Sequence, residues 1–367
     1  MEKNLNILIC PLQWGLGHAG RMIPLAMKLR EMNNTIYIGA GEDMLPFFKT
    51  ELRDFNFINF RGFRTVYSRD LPQYLFLLLK IPVLIYHSVA EHFRLKRIIR
   101  EYSIDLVISD NRFGLWNKKV RSVYVTHMPL IPFPRPFRFL EFTGISIHRL
   151  IIRRYALCLI PDLPGEINLS GRLTHNLKLP SNTRYVGILS RFTFPSEPAS
   201  EKQYHTPFTT IILSGPEPQR SILMQKLTDE LKYKALSIAI LGGQPDLSYE
   251  PVTSENIISY NHLPAARMKD LIINSEGIIA RSGYTTIMEL ISLGCTALLI
   301  PTPGQTEQEY LAEYLTKKGW VASIPQNQIN RSMSIPVNKP VIHEEILKQS
   351  EELLEIALKE MLEEKKN

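Results

Sequence analysis

Cysteine is scarce in this sequence: Cys10, Cys158 and Cys295 are the only three, odd in number and far apart. They suggest neither a disulfide framework nor a zinc site, and a reducing cytoplasm is the simplest setting. Long apolar runs are also missing. The longest, Leu71 to Tyr86, carries Lys80 in its middle and holds Pro72 and Pro82, and it falls short of the roughly 20 residues a spanning helix needs. The strand-like run Asn4 to Cys10 is cut off by Pro11, so it does not read as a signal peptide. Asp-x-Asp occurs nowhere, so no carboxylate pair for a metal is visible.

What is present is an uneven charge. Residues 1 to 190 hold 26 Lys and Arg against 14 Asp and Glu, whereas the remainder holds 17 against 22. The basic first half carries Arg94, Lys96, Arg97 and Arg100 behind the apolar run. Farther on, Arg135, Arg138, Arg149, Arg153 and Arg154 interleave with Phe133, Phe137, Phe139, Phe142, Ile151 and Ile152. Cations mixed with apolar side chains suit an anionic membrane surface; solvated faces of core helices are the plainer reading. No nucleic-acid-binding motif accompanies the charge, and nucleic acid is not expected as a partner.

The length suggests two or three domains. SRFTFPSEPASEKQYHTP, with three prolines and no apolar periodicity, has linker composition. The expected division is 1–190, a linker over 191–206, a second domain over 207–335 and a closing amphipathic helix over 340–366. Short strand-like runs alternate with helical stretches on both sides of the linker: Leu5 to Ile9, Thr35 to Ile38, Leu106 to Ser109 and Ser122 to Thr126 before it. Thr209 to Leu213, Leu236 to Leu241, Ile257 to Tyr260, Gly277 to Ala280 and Thr296 to Ile300 follow it. This order predicts α/β architecture with two doubly wound, Rossmann-like domains.

The stretch Ala280 to Tyr310 is the richest in chemistry. An apolar run ends at Arg281, and Ser282-Gly283 opens a helix stopped by Gly294. The N-terminus of such a helix offers unpaired N–H groups and a partial positive charge to a phosphate. Glu289, one turn in, is placed to accept hydrogen bonds from a ribose diol. A further strand leads to Pro301-Thr302-Pro303-Gly304 and then to Gln305, Glu307, Gln308 and Glu309, amide and carboxylate groups suited to sugar hydroxyls. The plain alternative is a βαβ unit with ordinary turn residues.

This stretch resembles the donor-site region of GT-B glycosyltransferases, especially the peptidoglycan UDP-N-acetylglucosamine transferase group. Ser282, Gly283, Glu289, Gln305 and Gln308 stand at the matching positions. PLQWGLGHAGR, VISDNRFG, LSGPEPQR and PTPGQTEQEY are closer still to bacterial glycosyltransferases known mainly by sequence. The resemblance implies two domains facing a cleft and an inverting transfer from a UDP-sugar, UDP-N-acetylhexosamine included, to a glycan or lipid-linked acceptor. It implies work at the inner face of the membrane with no cofactor. Leu213-Ser214-Gly215-Pro216 resembles the phosphate loop, so Ser214 and Gly215 join the donor site. Leu263, within Asn261 to Pro264, would read the nucleobase through its backbone. With Asp-x-Asp absent, the helix N-termini behind Ser214-Gly215 and Ser282-Gly283 are expected to hold the diphosphate without metal; Arg220 and Arg281 could add a cation, with a surface or structural place the plainer reading for both.

Gly15-Leu16-Gly17-His18-Ala19-Gly20 satisfies the glycine pattern of dinucleotide binding, with Glu42 after the second strand where a ribose acid would stand. His18 sits at a position of that pattern where its ring would face a ligand. In the resembled families this turn belongs to the acceptor side, and the matching His is the candidate base, suited by a neutral imidazole at physiological pH. Asp110, at the end of its own strand, is the candidate partner that would fix the ring. His127 and Glu42 are rival bases, and a histidine capping its own helix is the structural alternative. A UDP-sugar epimerase on the same plan and a non-catalytic sugar-nucleotide binder remain open.

Overall fold

A computed structural model describes residues 4–63, 73–194, 208–232, 236–247, 250–254, 256–339 and 344–363. Most of the proline-rich linker segment therefore lies outside the described residues. The apolar run NILIC forms β1 (Asn6–Cys10), and its residues beyond Asn6 are buried, as befits a strand covered on both faces of a parallel sheet. It lies between β2 (Thr35–Ala40) and β4 (Leu106–Asp110), with Cys10 beside Ser109. β3 (Asn56–Asn59), β5 (Arg121–Val125), β6 (Leu157–Ile160) and β7 (Thr183–Tyr185) complete a seven-stranded parallel sheet in the order β3-β2-β1-β4-β5-β6-β7. α1 (Leu16–Glu31), α2 (Leu45–Glu51), α3 (Gln73–Glu101) and α4 (Leu140–Ile152) belong to this lobe.

The second sheet repeats the plan. β8 (Phe208–Ile212), β9 (Ser237–Leu241), β10 (Val252–Ser254), β11 (Ile257–Tyr260), β12 (Gly277–Ala280), β13 (Leu298–Leu299) and β14 (Ala322–Ser323) run in the order β10-β11-β9-β8-β12-β13-β14. Only β10 is antiparallel to its neighbour. α5 (Gln219–Leu231), α6 (Ala265–Ile273), α7 (Tyr284–Ser292) and α8 (Thr306–Lys317) connect these strands. The expected architecture is thus present in both halves. The strands the sequence reading left out, β3, β6, β7, β10 and β14, are two to four residues long, too short for periodicity to register. β13 is shorter than the predicted run because only Leu298 and Leu299 pair.

In each sheet the strand order reverses beside the first strand, between β1 and β4 and between β8 and β12. Loops leaving the carboxyl ends of strands at such a reversal diverge and open a crevice. His18 follows β1 and Asp110 ends β4; Ser214-Gly215 follows β8 and Ser282-Gly283 follows β12. The fold therefore brings the two halves of the candidate site to two crevices.

The lobes are joined by more than one chain crossing. α9 (Glu344–Leu362) buries Ile346 in the second lobe's core, and Ala357, Leu358 and Met361 in the first lobe's. Arg184 holds Glu360 through two hydrogen bonds of 2.8 Å. Ile188 donates its N–H to Ser350 of α9 at 3.0 Å. Here Gly187 has φ +70, and a Cβ on it would lie 2.2 Å from the Ser350 backbone, so this approach of α9 requires glycine.

Candidate functional site

His18 occupies the first turn of α1, and Arg21 follows three residues later on the same face. His18 Nδ1 lies 2.8 Å from Asp110 Oδ2. Arg21 grips the same carboxylate twice, from Nε to Oδ2 at 3.1 Å and from Nη2 to Oδ1. Burial pushes the Asp110 carboxyl up, but Arg21 and His18 outweigh it and hold the pKa at about 2. His18 is 17 % exposed. Burial and, next, the Arg21 charge lower its pKa against the opposing pull of Asp110. A neutral ring at neutral pH is the outcome, which is the form a proton acceptor needs.

The network crosses between lobes. Arg21 Nη1 stands 2.8 Å from His127 Nδ1, and His127 Nε2 stands 2.8 Å from Glu307 Oε1 on α8. Burial raises the Glu307 carboxyl, yet His127 and its hydrogen bond prevail and leave it below the ordinary value. Tyr284 of α7 stacks on His127 at 4.7 Å between centroids and donates its hydroxyl to Pro161 O at 2.7 Å. Thr285 donates to Gly17 O at 2.9 Å, and a Cβ on Gly17 would meet the Thr285 hydroxyl at 3.2 Å. Two helices, α1 and α7, meet closely here because that position is glycine. Glu42, one of the rival bases, is exposed and accepts from Asn59 at 2.9 Å, outside this network.

The second-lobe loops adjoin one another, since a Cβ on Gly283 would lie 4.0 Å from Ser214 Oγ. Gly215, with φ +94, is exposed and has open space where a side chain would stand. Ser282 is fully buried and donates to Gln308 O at 2.9 Å. Gln308 is turned inward as well: its side-chain oxygen accepts from Thr302 N at 2.9 Å, which closes the Pro301 to Gly304 loop. Gln305, half-buried, caps α8 through its backbone position alone. Leu263 packs its side chain into the core, leaving only its backbone for a ligand.

Three charged residues of the second lobe, Arg220, Arg281 and Glu289, are engaged by neighbouring groups of the protein. One N–H of the first turn of α5 is already engaged, because Glu217 accepts from Ser221 N at 3.2 Å, and the same carboxylate grips Arg220. The N-terminus of α7 has no side-chain cap. Arg281 is buried and donates to the carbonyls of Ile300, Pro301 and Gln219, with burial lowering its pKa to about 10. It staples three loops rather than projecting as a surface cation. Glu289 is 6 % exposed and accepts from Arg191 Nε at 2.8 Å.

Arg191 lies at the start of the segment read as linker, yet it is buried between lobes. Its Nη1 donates to Glu51 Oε1 at 3.1 Å, and Glu51 also accepts from Ala265 N at the start of α6. Arg21, Arg191, Glu51 and Tyr284 were not foreseen as site residues. The His-x-x-Arg spacing on one helix face could have revealed Arg21. Nothing local reveals Arg191, whose partners lie 98 and 140 residues away.

Removing one partner from such a buried set leaves uncompensated charge. Arg191→Met is expected to lower unfolding free energy by about 3–5 kcal/mol, and Glu51→Gln with Glu289→Gln in the same chain to restore much of it. Denaturant titration of the three proteins tests this; a loss under about 1 kcal/mol in Arg191→Met would show that the charges are not coupled.

Residues 219–362 match the glycosyltransferase family 28 C-terminal domain. An uncharacterized glycosyltransferase of Methanosarcina acetivorans is 22% identical over 239 residues, and the chain spans about 62% of that relative's length. Among solved structures, the glycotransferase of kitacinnamycin superposes with TM-score 0.62 at 10% identity, covering 99% of this chain and 94% of its own. SnogD of Streptomyces nogalater gives 0.57 at 13%, covering 96% and 95%. A spinosyn rhamnosyltransferase solved with thymidine diphosphate gives 0.58 at 13%, covering 97% and 92%. The chain has the GT-B glycosyltransferase fold.

Proposed function

We propose that this chain is an inverting, metal-independent glycosyltransferase that uses a UDP-sugar and activates an acceptor hydroxyl with His18. The observation that carries the reading is the hydrogen-bonded His18–Asp110 pair at one sheet's crevice, with the Ser214-Gly215 and Ser282-Gly283 loops at the other's. In the step proposed, the acceptor oxygen forms a bond to the anomeric carbon from the face opposite the diphosphate. The acceptor proton passes to His18 Nε2 while Asp110 stabilises the imidazolium. The anomeric C–O bond breaks, and its electron pair leaves on the diphosphate oxygen. Backbone N–H groups at the start of α7 and around Gly215 would face that charge. A donor ribose would have to share Glu289 with Arg191, or displace it, and Gln305 would face the sugar.

The absence of Asp-x-Asp motivates metal independence. His18→Ala should lower kcat by about 10²–10⁴ and leave UDP affinity nearly unchanged, and the wild-type rate should persist in excess chelator. Radiolabelled nucleotide sugars with UDP and thymidine carriers, offered with and without lipid extract, provide the assay. Near-normal turnover in His18→Ala would give the base to His127, and activity abolished by chelator and restored by magnesium or manganese would refute the metal-free step. Epimer formed without transfer would point to an isomerase, and nucleotide binding without turnover of any sugar to a binding protein.

The acceptor is proposed to be lipid-linked and reached from an anionic membrane at its cytoplasmic face. α3 and α4 support this: Leu79 is 72 % and Phe142 74 % exposed, and Ile85, Tyr86, Phe93 and Phe139 are exposed with them. Arg97, Arg100, Arg138 and Arg153 lie along the same segments. None of the described helices is long and apolar enough to cross a membrane. Binding to acidic vesicles should therefore fall steeply between low and physiological salt, where the screening length is about 8 Å. Equal binding to neutral and acidic vesicles, or none to either, would reduce this face to a solvated one.

A further inference from the structure

Arg21 contacts both histidines and the carboxylate between them, and proton accounting makes that arrangement selective. A guanidinium only donates. Its Nη1 faces His127 Nδ1 at 2.8 Å, so that nitrogen is bare and His127 carries its proton on Nε2, directed at Glu307 Oε1. At His18 the same logic meets a conflict. Nδ1 lies 2.7 Å from Arg21 Nη2, a donor, and 2.8 Å from Asp110 Oδ2, an acceptor. One nitrogen cannot serve both. With Nδ1 protonated and donating to Asp110, Nε2 has a free lone pair and can take an acceptor's proton. With Nδ1 bare and accepting from Arg21, Nε2 holds the proton and the base is silent.

We propose that Arg21 is a positioning residue that selects the tautomer of His18, holding the resting ring with its proton on Nε2 until Nδ1 is ceded to Asp110. Both oxygens of Asp110 are already engaged by Arg21, which weakens the carboxylate as an acceptor for His18 and favours the silent form. The charged and titratable groups facing His18 are Arg21 from α1, Asp110 from the end of β4, His127 after β5 at 6.1 Å between ring centroids, and Glu307 of α8 beyond it. Of these, Arg21 donates directly to the ring nitrogen in question, and its removal has a defined sign. Loss of its positive charge raises the proton affinity of His18.

The inference rests on His18 as base, and the test separates the two. Nitrogen-15 spectra of histidine-labelled protein, with His18 assigned through His18→Ala, report the tautomer without reference to activity. The wild type should show His18 protonated on Nε2, and Arg21→Met should show it protonated on Nδ1. The acidic limb of the kcat profile should move to higher pH by roughly one unit in Arg21→Met, and Arg21→Lys, which keeps the charge, should leave that limb near the wild-type position. If Arg21→Met does not fold, the Arg21→Lys spectrum carries the test, with the proton moving toward Nδ1 because the fork of donors is gone. An Nδ1–H wild type, or an unchanged tautomer in the folded variants, overturns the proposal. A shifted tautomer alongside full turnover in His18→Ala would sustain it and instead remove His18 as the base.

Discussion

Two guanidinium groups buried where the lobes meet set the terms for the rest of the molecule. A charge taken out of water must be matched by an opposite charge and by hydrogen bonds, or the structure loses several kcal/mol. Arg21 is matched within the first lobe by Asp110 and reaches His127, which in turn holds Glu307 of the second. Arg191 is matched by Glu51 of the first lobe and Glu289 of the second. The positions of His18, Glu289 and the α6 and α7 N-termini follow from how these charges are satisfied.

The two lobes touch directly in this arrangement. α1 meets α7 through Gly17 and Thr285, and the carboxylate proposed for the ribose is in the meantime used by Arg191. Glu51 occupies the start of α6, beside the backbone of Leu263 that would read a nucleobase. A ribose donating to Glu289 would thus compete with Arg191 for that acceptor.

The architecture was legible because it depends on strands buried on both faces, which leave continuous apolar runs such as NILIC and GIIA. Short strands such as β7 and β14 left no such trace. The proximity of His18 and Asp110 was legible too, since each ends a strand or follows one and the two strands are neighbours. The roles of side chains inside the second lobe were harder to read. Gln308, expected to contact a sugar, also accepts from Thr302 N through its side-chain oxygen, a contact inside the proline loop that no local pattern announces. In the first turn of α5, Glu217 takes one N–H, that of Ser221, which the sequence did not announce. Arg191 sits in a segment whose composition says linker, and only the folded chain brings Glu51 and Glu289 to it. Long-range charge matching leaves no local pattern in a sequence.

The central claim is a single displacement at the anomeric carbon with His18 taking the acceptor's proton. Its stereochemistry tests it most directly. Proton NMR of the product formed from a nucleotide sugar of known configuration reads the anomeric coupling of the new glycosidic bond. The account predicts inversion, so an α-linked donor gives a β-linked product; a product that keeps the donor's configuration would contradict it.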